Sequence, residues 1–177
     1  MQKYLGNNRK ITDITNLTTT ILFILYLIVL FYILLFKLGV HFSNMGKMRS
    51  INFIPFNQIS MSDMILNVVI FIPLGLYAGV LFKRGNFVKM PFFFFLISLT
   101  IEVLQFIFRL GVADITDVIT NTLGGIIGLM LYKLIEKLFT NNVKAQKVIN
   151  ILAAIGTILT ISFLILIKTN NPLIRYR

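Results

Sequence analysis

The chain has no cysteine, no tryptophan, a single histidine and four prolines, and only six of its 177 residues are acidic. Without cysteine there is no disulfide scaffold and no thiolate-held metal. With His41 alone there is no Ser/His/Asp relay. No Walker loop and no G-x-G-x-x-G stretch is present, so nucleotide cradles of those kinds are excluded. Charge is scarce too. Charged residues make up 13% of the chain, against roughly a quarter in soluble domains. What fills the space is apolar: 57% of residues are hydrophobic and the mean hydropathy is +0.88. That composition excludes disorder and is not that of an ordinary water-soluble fold.

A membrane-spanning helix needs roughly 20 apolar residues. Five stretches qualify, at about 15–36, 64–82, 90–108, 115–135 and 148–167. The sequence therefore predicts an all-α, polytopic membrane protein, a small bundle of five transmembrane helices forming one membrane domain over 1–177. The first stretch is expected to stay in place, because no small-x-small cleavage site follows it.

The net charge of +11 fits either a nucleic-acid binder or a membrane protein with basic loops. Placement decides. Lys3, Arg9, Lys10, Lys83, Arg84, Lys89, Lys133, Lys137, Lys144 and Lys147 fall on one side of the five-span topology. Lys37, Lys47, Arg49, Arg109, Lys168, Arg175 and Arg177 fall on the other. The basic residues form no single face, so nucleic acid is not an expected partner. The excess on the first side predicts an N-terminus inside and a C-terminus outside.

The scarce acids are more informative. Asp63, Glu102, Asp114 and Asp117 gather on the predicted outer side, with Asn67, Gln105, Arg109, Thr116 and Asn121 beside them. A carboxylate within a span is costly and marks a candidate functional site. Glu102, Gln105 and Arg109 share one face of the third helix at i, i+3, i+7. Asp114, Asp117 and Asn121 repeat that spacing on the fourth. Folding the chain about a short turn near Gly111 pairs Arg109 with Asp114, Gln105 with Asp117 and Glu102 with Asn121. The expectation is a polar ladder descending into the membrane. A plainer reading makes Asp114 and Asp117 an N-cap and its N3 partner, Asp63 an N-cap, and Arg109 a snorkelling anchor. Glu102 and Gln105 resist it, because they lie well inside a span.

Asp63 and Asn67 start the second helix with the same D-x-x-x-N as Asp117 and Asn121 in the fourth. Each helix then carries a G-x-x-x-G, Gly75/Gly79 and Gly124/Gly128, which permits close backbone approach. Pro73 is expected to kink the second helix or free a carbonyl. The segment 42–62 is too mixed to span, and should lie on the interface or re-enter over the ladder.

The oxygen-rich set leaves several chemistries open. Glu102, Asp114 and Asp117 are candidate ligands for a divalent cation, though no cofactor is expected. Glu102 and Asp117 are candidate catalytic groups for an acid–base step on a lipid headgroup. Arg109 suits a phosphate or carboxylate. A transport path is disfavoured, because the inner halves of the spans show no matching polar residues.

The segments Asn52-x-x-Pro55-Phe56, Asp63-x-x-x-Asn67-x-x-x-Phe71-x-Pro73-x-Gly75, Glu102-x-x-Gln105-x-x-x-Arg109 and Asp114-x-x-Asp117-x-x-x-Asn121-x-x-Gly124-x-x-x-Gly128 resemble the VanZ-like family of bacterial membrane proteins. The resemblance covers about 52–131. It implies a multi-pass protein of the bacterial cytoplasmic membrane, related to resistance to teicoplanin, a lipoglycopeptide antibiotic. No reaction follows from it. It implies Glu102, Gln105, Arg109, Asp114, Asp117 and Asn121 as the functional set, with Asn67 and Asp63 supporting. The implied partners are a membrane lipid, a lipid-linked cell-wall component or the antibiotic. One reading is a binding or resistance protein that engages a lipid-linked headgroup or limits antibiotic accumulation. The alternative is a small hydrolase or transferase acting on an envelope lipid or glycopolymer. Many members of the family carry an acidic residue where this chain has Thr116, a departure that weakens a metal reading more than a hydrogen-bonding one.

Overall fold

The computed structural model describes residues 2–36, 51–56, 60–82, 87–108, 112–139 and 142–170. The described chain is all-α apart from two short extended pieces. Five helices occur in order: α1 (Gln2–Phe36), α2 (Met61–Leu81), α3 (Met90–Phe108), α4 (Ile115–Leu138) and α5 (Asn142–Asn170). Four of them hold stretches long and apolar enough to cross a membrane: Ile14–Leu34, Met61–Leu81, Phe87–Phe108 and Ile115–Leu138. The expected fifth stretch lies on α5, several of whose side chains near its C-terminal end fall outside the described residues.

The centre of the bundle is the parallel pair α2 and α4. Their contacts advance together in steps of one turn. Gly124 lies on the Val68 carbonyl, Gly128 on the Ile72 carbonyl, and Gly79 on the Tyr132 ring. A Cβ at any of these glycines would collide with its neighbour. The two G-x-x-x-G motifs thus remove side chains from the seam and let the backbones touch, where dispersion contacts are made that no larger residue permits.

Helix α3 packs antiparallel against α4. Phe94 covers Gly125, Ser98 bonds Asn121, and Glu102 meets Asp114. Helix α1 crosses α2 through Phe23, Tyr26 and Tyr77, with ring centroids 5.5 and 5.8 Å from Tyr77. Pro73 sits inside α2. It cannot donate to Val69, which weakens the ladder at that point. One residue on, the Tyr26 hydroxyl donates to the Ile70 carbonyl at 2.7 Å.

The extended pieces are β1 (Ile51–Asn52) and β2 (Ala113–Asp114), paired in parallel with Ile51 opposite Ala113 and Asn52 opposite Asp114. Non-helical backbone at membrane depth is tolerated only where protein covers it. Ala113 and Asp114 are both buried. The described part of the segment 42–62, residues 51–56, is mostly exposed and lies against the start of α4.

Candidate functional site

The site forms where α2 and α4 begin and α1 and α3 end. Asp114 is the N-cap of α4: its Oδ1 accepts from the Thr116 N–H at 2.7 Å. Its Oδ2 accepts from Asn52 Nδ2 at 2.9 Å. Its own backbone N–H donates to Glu102 Oε2 at 2.9 Å. Asp114 thus joins the segment 51–56, the start of α4 and the buried carboxylate of α3. The positive end of the α4 dipole favours negative charge here.

Thr116, fully buried, accepts the Phe56 N–H on its Oγ1 at 2.9 Å. Phe56 takes φ = 60°, a region that non-glycine residues rarely occupy. The Asn52 Oδ1 accepts the Ile54 N–H at 3.2 Å. The turn 52–56 is therefore fastened at both ends. Deeper, Asp117 accepts from Asn67 Nδ2 at 2.8 Å, which ties α4 to α2. Thr120 sits beside this contact, 3.4 Å from Asn67 Nδ2. Asn121 Nδ2 bonds Ser98 Oγ at 2.9 Å. Gln105 Nε2 donates to the Leu34 carbonyl at 2.6 Å and pins the end of α1.

The expected residues are brought together, with two exceptions. Glu102, Gln105, Asp114, Asp117 and Asn121 are all buried at one end of the bundle, and Asn67 joins them. Asp63 does not. It is exposed at N3 of α2, and its N–H is held by Ser60, the actual N-cap, at 3.1 Å. Arg109 lies outside the described residues, and with it the expected rung to Asp114.

The other two expected rungs are corrected. Glu102 bonds Asp114, Asn121 bonds Ser98, and Gln105 reaches α1. The depth matching had assumed helical rise on both sides of the turn. The returning chain is extended at Ala113–Asp114, and an extended residue advances about 3.3 Å against 1.5 Å in a helix. Helix α4 therefore begins deeper than a helical count places it.

Sequence reasoning passed over four contributors. Ser98 stands four residues before Glu102, and extending the polar face one more turn would have found it. Asn52 was quoted in a motif but kept out of the site set. Thr116 was noted as a polar neighbour of the acids and as a departure but kept out of the site set, and Thr120 was not noted at all. As for a cation, no three His, Asp or Glu side chains cluster closely enough to hold one among the described residues. Glu102, Asp114 and Asp117 spread along the network instead, each accepting an N–H donor.

The opposite end also holds buried polar groups. Gln146 Nε2 donates to Thr19 Oγ1 at 2.7 Å and to Asn16 Oδ1 at 3.1 Å, with Asn150 one turn further along α5. That end, the inner one in the expected orientation, is thus not free of polar residues, and that ground against a transport path falls. A different one replaces it: the fully buried Phe71, Leu74, Phe94 and Ile101 pack an apolar layer between the two ends.

The family model VanZ/LLP1 matches residues 23–136. Among curated proteins, the chain is 40% identical over 144 residues to Protein VanZ of Enterococcus faecium, covering 80% of this chain and 87% of that protein. No solved structure matches it.

Proposed function

The chain belongs to the VanZ/LLP1 family, and on that premise we propose that it is a bacterial envelope membrane protein that protects against teicoplanin through its buried polar site. The site binds a lipid-linked headgroup or otherwise limits accumulation of the antibiotic at the membrane. In this reading α5 is a fifth span, the N-terminus is inside, the C-terminus is outside, and the site opens outward. The basic-residue distribution supports the orientation.

One observation carries the proposal. Glu102, only 5% exposed, sits inside an apolar helix and accepts the backbone N–H of Asp114, whose side chain holds the turn 52–56 through Asn52. Burying a carboxylate in a membrane bundle is costly, and a helix pair seamed by glycines does not need one to pack. The network instead assembles three separate segments around one acidic position, as a binding site requires.

Glu102→Gln and Asp117→Asn test this. Gln keeps an oxygen for the Asp114 N–H, and Asn keeps one for Asn67, so both variants should fold and express normally. Each should lose most of the protection against teicoplanin in a susceptibility assay, with vancomycin measured alongside. Normal protection in both would reduce the network to a structural role. Envelope lipids compared by mass spectrometry separate binding from catalysis: an enzyme alters lipid or polymer composition, and a binding protein leaves it unchanged.

A further inference from the structure

Residues 51–56 read Ile-Asn-Phe-Ile-Pro-Phe, without a charge. Their polarity is inside out for a loop in water. Phe53, Ile54 and Phe56 are 73%, 62% and 60% exposed. Asn52, the polar side chain, is turned inward: its Nδ2 donates to Asp114 and its Oδ1 accepts the Ile54 N–H. Single apolar residues on a surface are ordinary, but three within four positions make a patch of the kind that meets a partner or a membrane.

The backbone donors point the same way. Asn52 takes the Ile54 N–H, and Thr116 Oγ1 takes the Phe56 N–H at 2.9 Å. Pro55, between them, has no N–H. From Ile54 to Phe56 no backbone donor is left for water. A loop in water gains little from this, whereas a loop among lipids requires it. The same bonds fix the level of the turn. Phe56 is tied to the first turn of α4, whose membrane-crossing stretch starts at Ile115. Met61 at the start of α2, Phe108 at the end of α3 and Val112 before β2 are exposed at this end too. The patch therefore stands at the rim of the apolar outer surface that the spans present to lipid.

We infer that the turn 52–56 is a lipid anchor: Phe53, Ile54 and Phe56 insert at the boundary of headgroups and acyl chains in the leaflet at this end. Its partner is the bilayer itself, which already surrounds the spans at that level. The insertion is shallow, about 5–10 Å, as for other elements that lie in the interface. Because Asn52 is bonded to Asp114 and Phe56 to Thr116, the anchor holds the polar site at the depth of the headgroups. The inference goes beyond the headgroup-binding reading and does not depend on what the site takes.

The test exploits the absence of tryptophan from the chain. Phe53→Trp introduces a single indole fluorophore at an exposed position, where it displaces no packing; Ile54→Trp serves if that variant fails to fold. Leu123→Trp, on the exposed side of α4 eight residues beyond Ile115, is the deep reference. Each full-length variant is placed in nanodiscs that contain phosphatidylcholine brominated either near the carboxyl end or near the methyl end of its chains, and acrylamide is the quencher in water. Phe53→Trp should emit further to the blue than free tryptophan. It should lose most of its emission to the carboxyl-end bromines, less to the methyl-end bromines and little to acrylamide. Leu123→Trp should show the reverse preference between the two lipids. Quenching of Phe53→Trp by acrylamide alone overturns the inference, because the turn is then in water. Shielding from all three quenchers overturns it as well, because a protein surface, whether a second copy or another chain, then covers the patch. Stronger quenching by the methyl-end bromines puts the turn in the hydrocarbon core and overturns the shallow anchor. Any of these failures leaves the headgroup reading intact if Glu102→Gln still loses protection.

Discussion

Two helix pairs in this bundle are joined by opposite means. The α2–α4 pair is held by what is missing, since Gly75, Gly124 and Gly128 bring backbone onto backbone with no side chain between. The α1–α5 pair is held by what is added, since Gln146 reaches across to Thr19 and Asn16. The glycines of the first pair lie within the family-matched residues 23–136, while Thr19, Asn16 and Gln146 all lie outside them. The difference teaches where the fold is unforgiving. A seam of glycines tolerates no added atom, whereas a polar peg is one contact among many and can be lost at modest cost.

Gly128→Ala attacks the first kind of join and should have the largest effect. The new methyl would sit on the Ile72 carbonyl, with the Gly75 Cα also close by. Neither can move without parting the helices. The cost should lie at or beyond the upper end for overpacking, about 3 kcal/mol. Because Asn67 and Asp117 bridge the same two helices, the site should fail with the seam. Extraction in mild detergent followed by size exclusion should show little monodisperse protein, and protection against teicoplanin should vanish. A well-folded Gly128→Ala protein would mean that the seam is not the organising contact.

The seam was legible in the sequence because G-x-x-x-G is a local pattern with a single packing consequence. The polar faces of α3 and α4 were legible for the same reason: a helical period of 3.6 places Glu102 with Gln105, and Asp114 with Asp117 and Asn121, whatever surrounds them. The pairing between faces was not. It depends on the residues that connect the helices, and the returning chain, extended at Ala113–Asp114, brings the Asp114 N–H to Glu102. The turn 52–56 was legible only as part of a segment that could not span. Its anchors, Asn52 on Asp114 and Thr116 on Phe56, are sixty residues apart in sequence, and no spacing rule reaches that far. The Gln146 peg was hidden differently. Gln146 lies just before the run of apolar residues that marks the fifth stretch, so it read as loop.

Gln146→Leu attacks the second kind of join and should cost far less. Hydrogen bonds between membrane helices average about 0.6 kcal/mol and reach about 1.7. The leucine fills similar volume, so no cavity opens. Thermal unfolding in detergent should fall by only a few degrees, and protection should stay close to wild type, since the site lies at the other end of the bundle. A Gln146→Leu protein that unfolds as readily as Gly128→Ala would erase the distinction between the two joins.

The smallest effect is expected at the mouth of the seam, where α2 and α4 open with the same D-x-x-x-N pattern but put it to different use. Asp117 is buried and bonded to Asn67, the asparagine of the other copy. Its counterpart Asp63 is exposed, one turn outside that contact, and only its backbone N–H is engaged, by Ser60. What Asp63 adds is a charge near the positive end of α2, worth about 0.3–1 kcal/mol at an exposed helix start. Asp63→Asn removes that charge and leaves the Ser60 cap in place. Unfolding should shift by no more than a degree or two, and protection should match wild type, while the same change at Asp117 abolishes it. Two aspartates in one repeated motif would then differ in effect through burial alone. If Asp63→Asn also abolished protection, the polar site would extend out to the start of α2, and the exposed acid would belong to the binding surface.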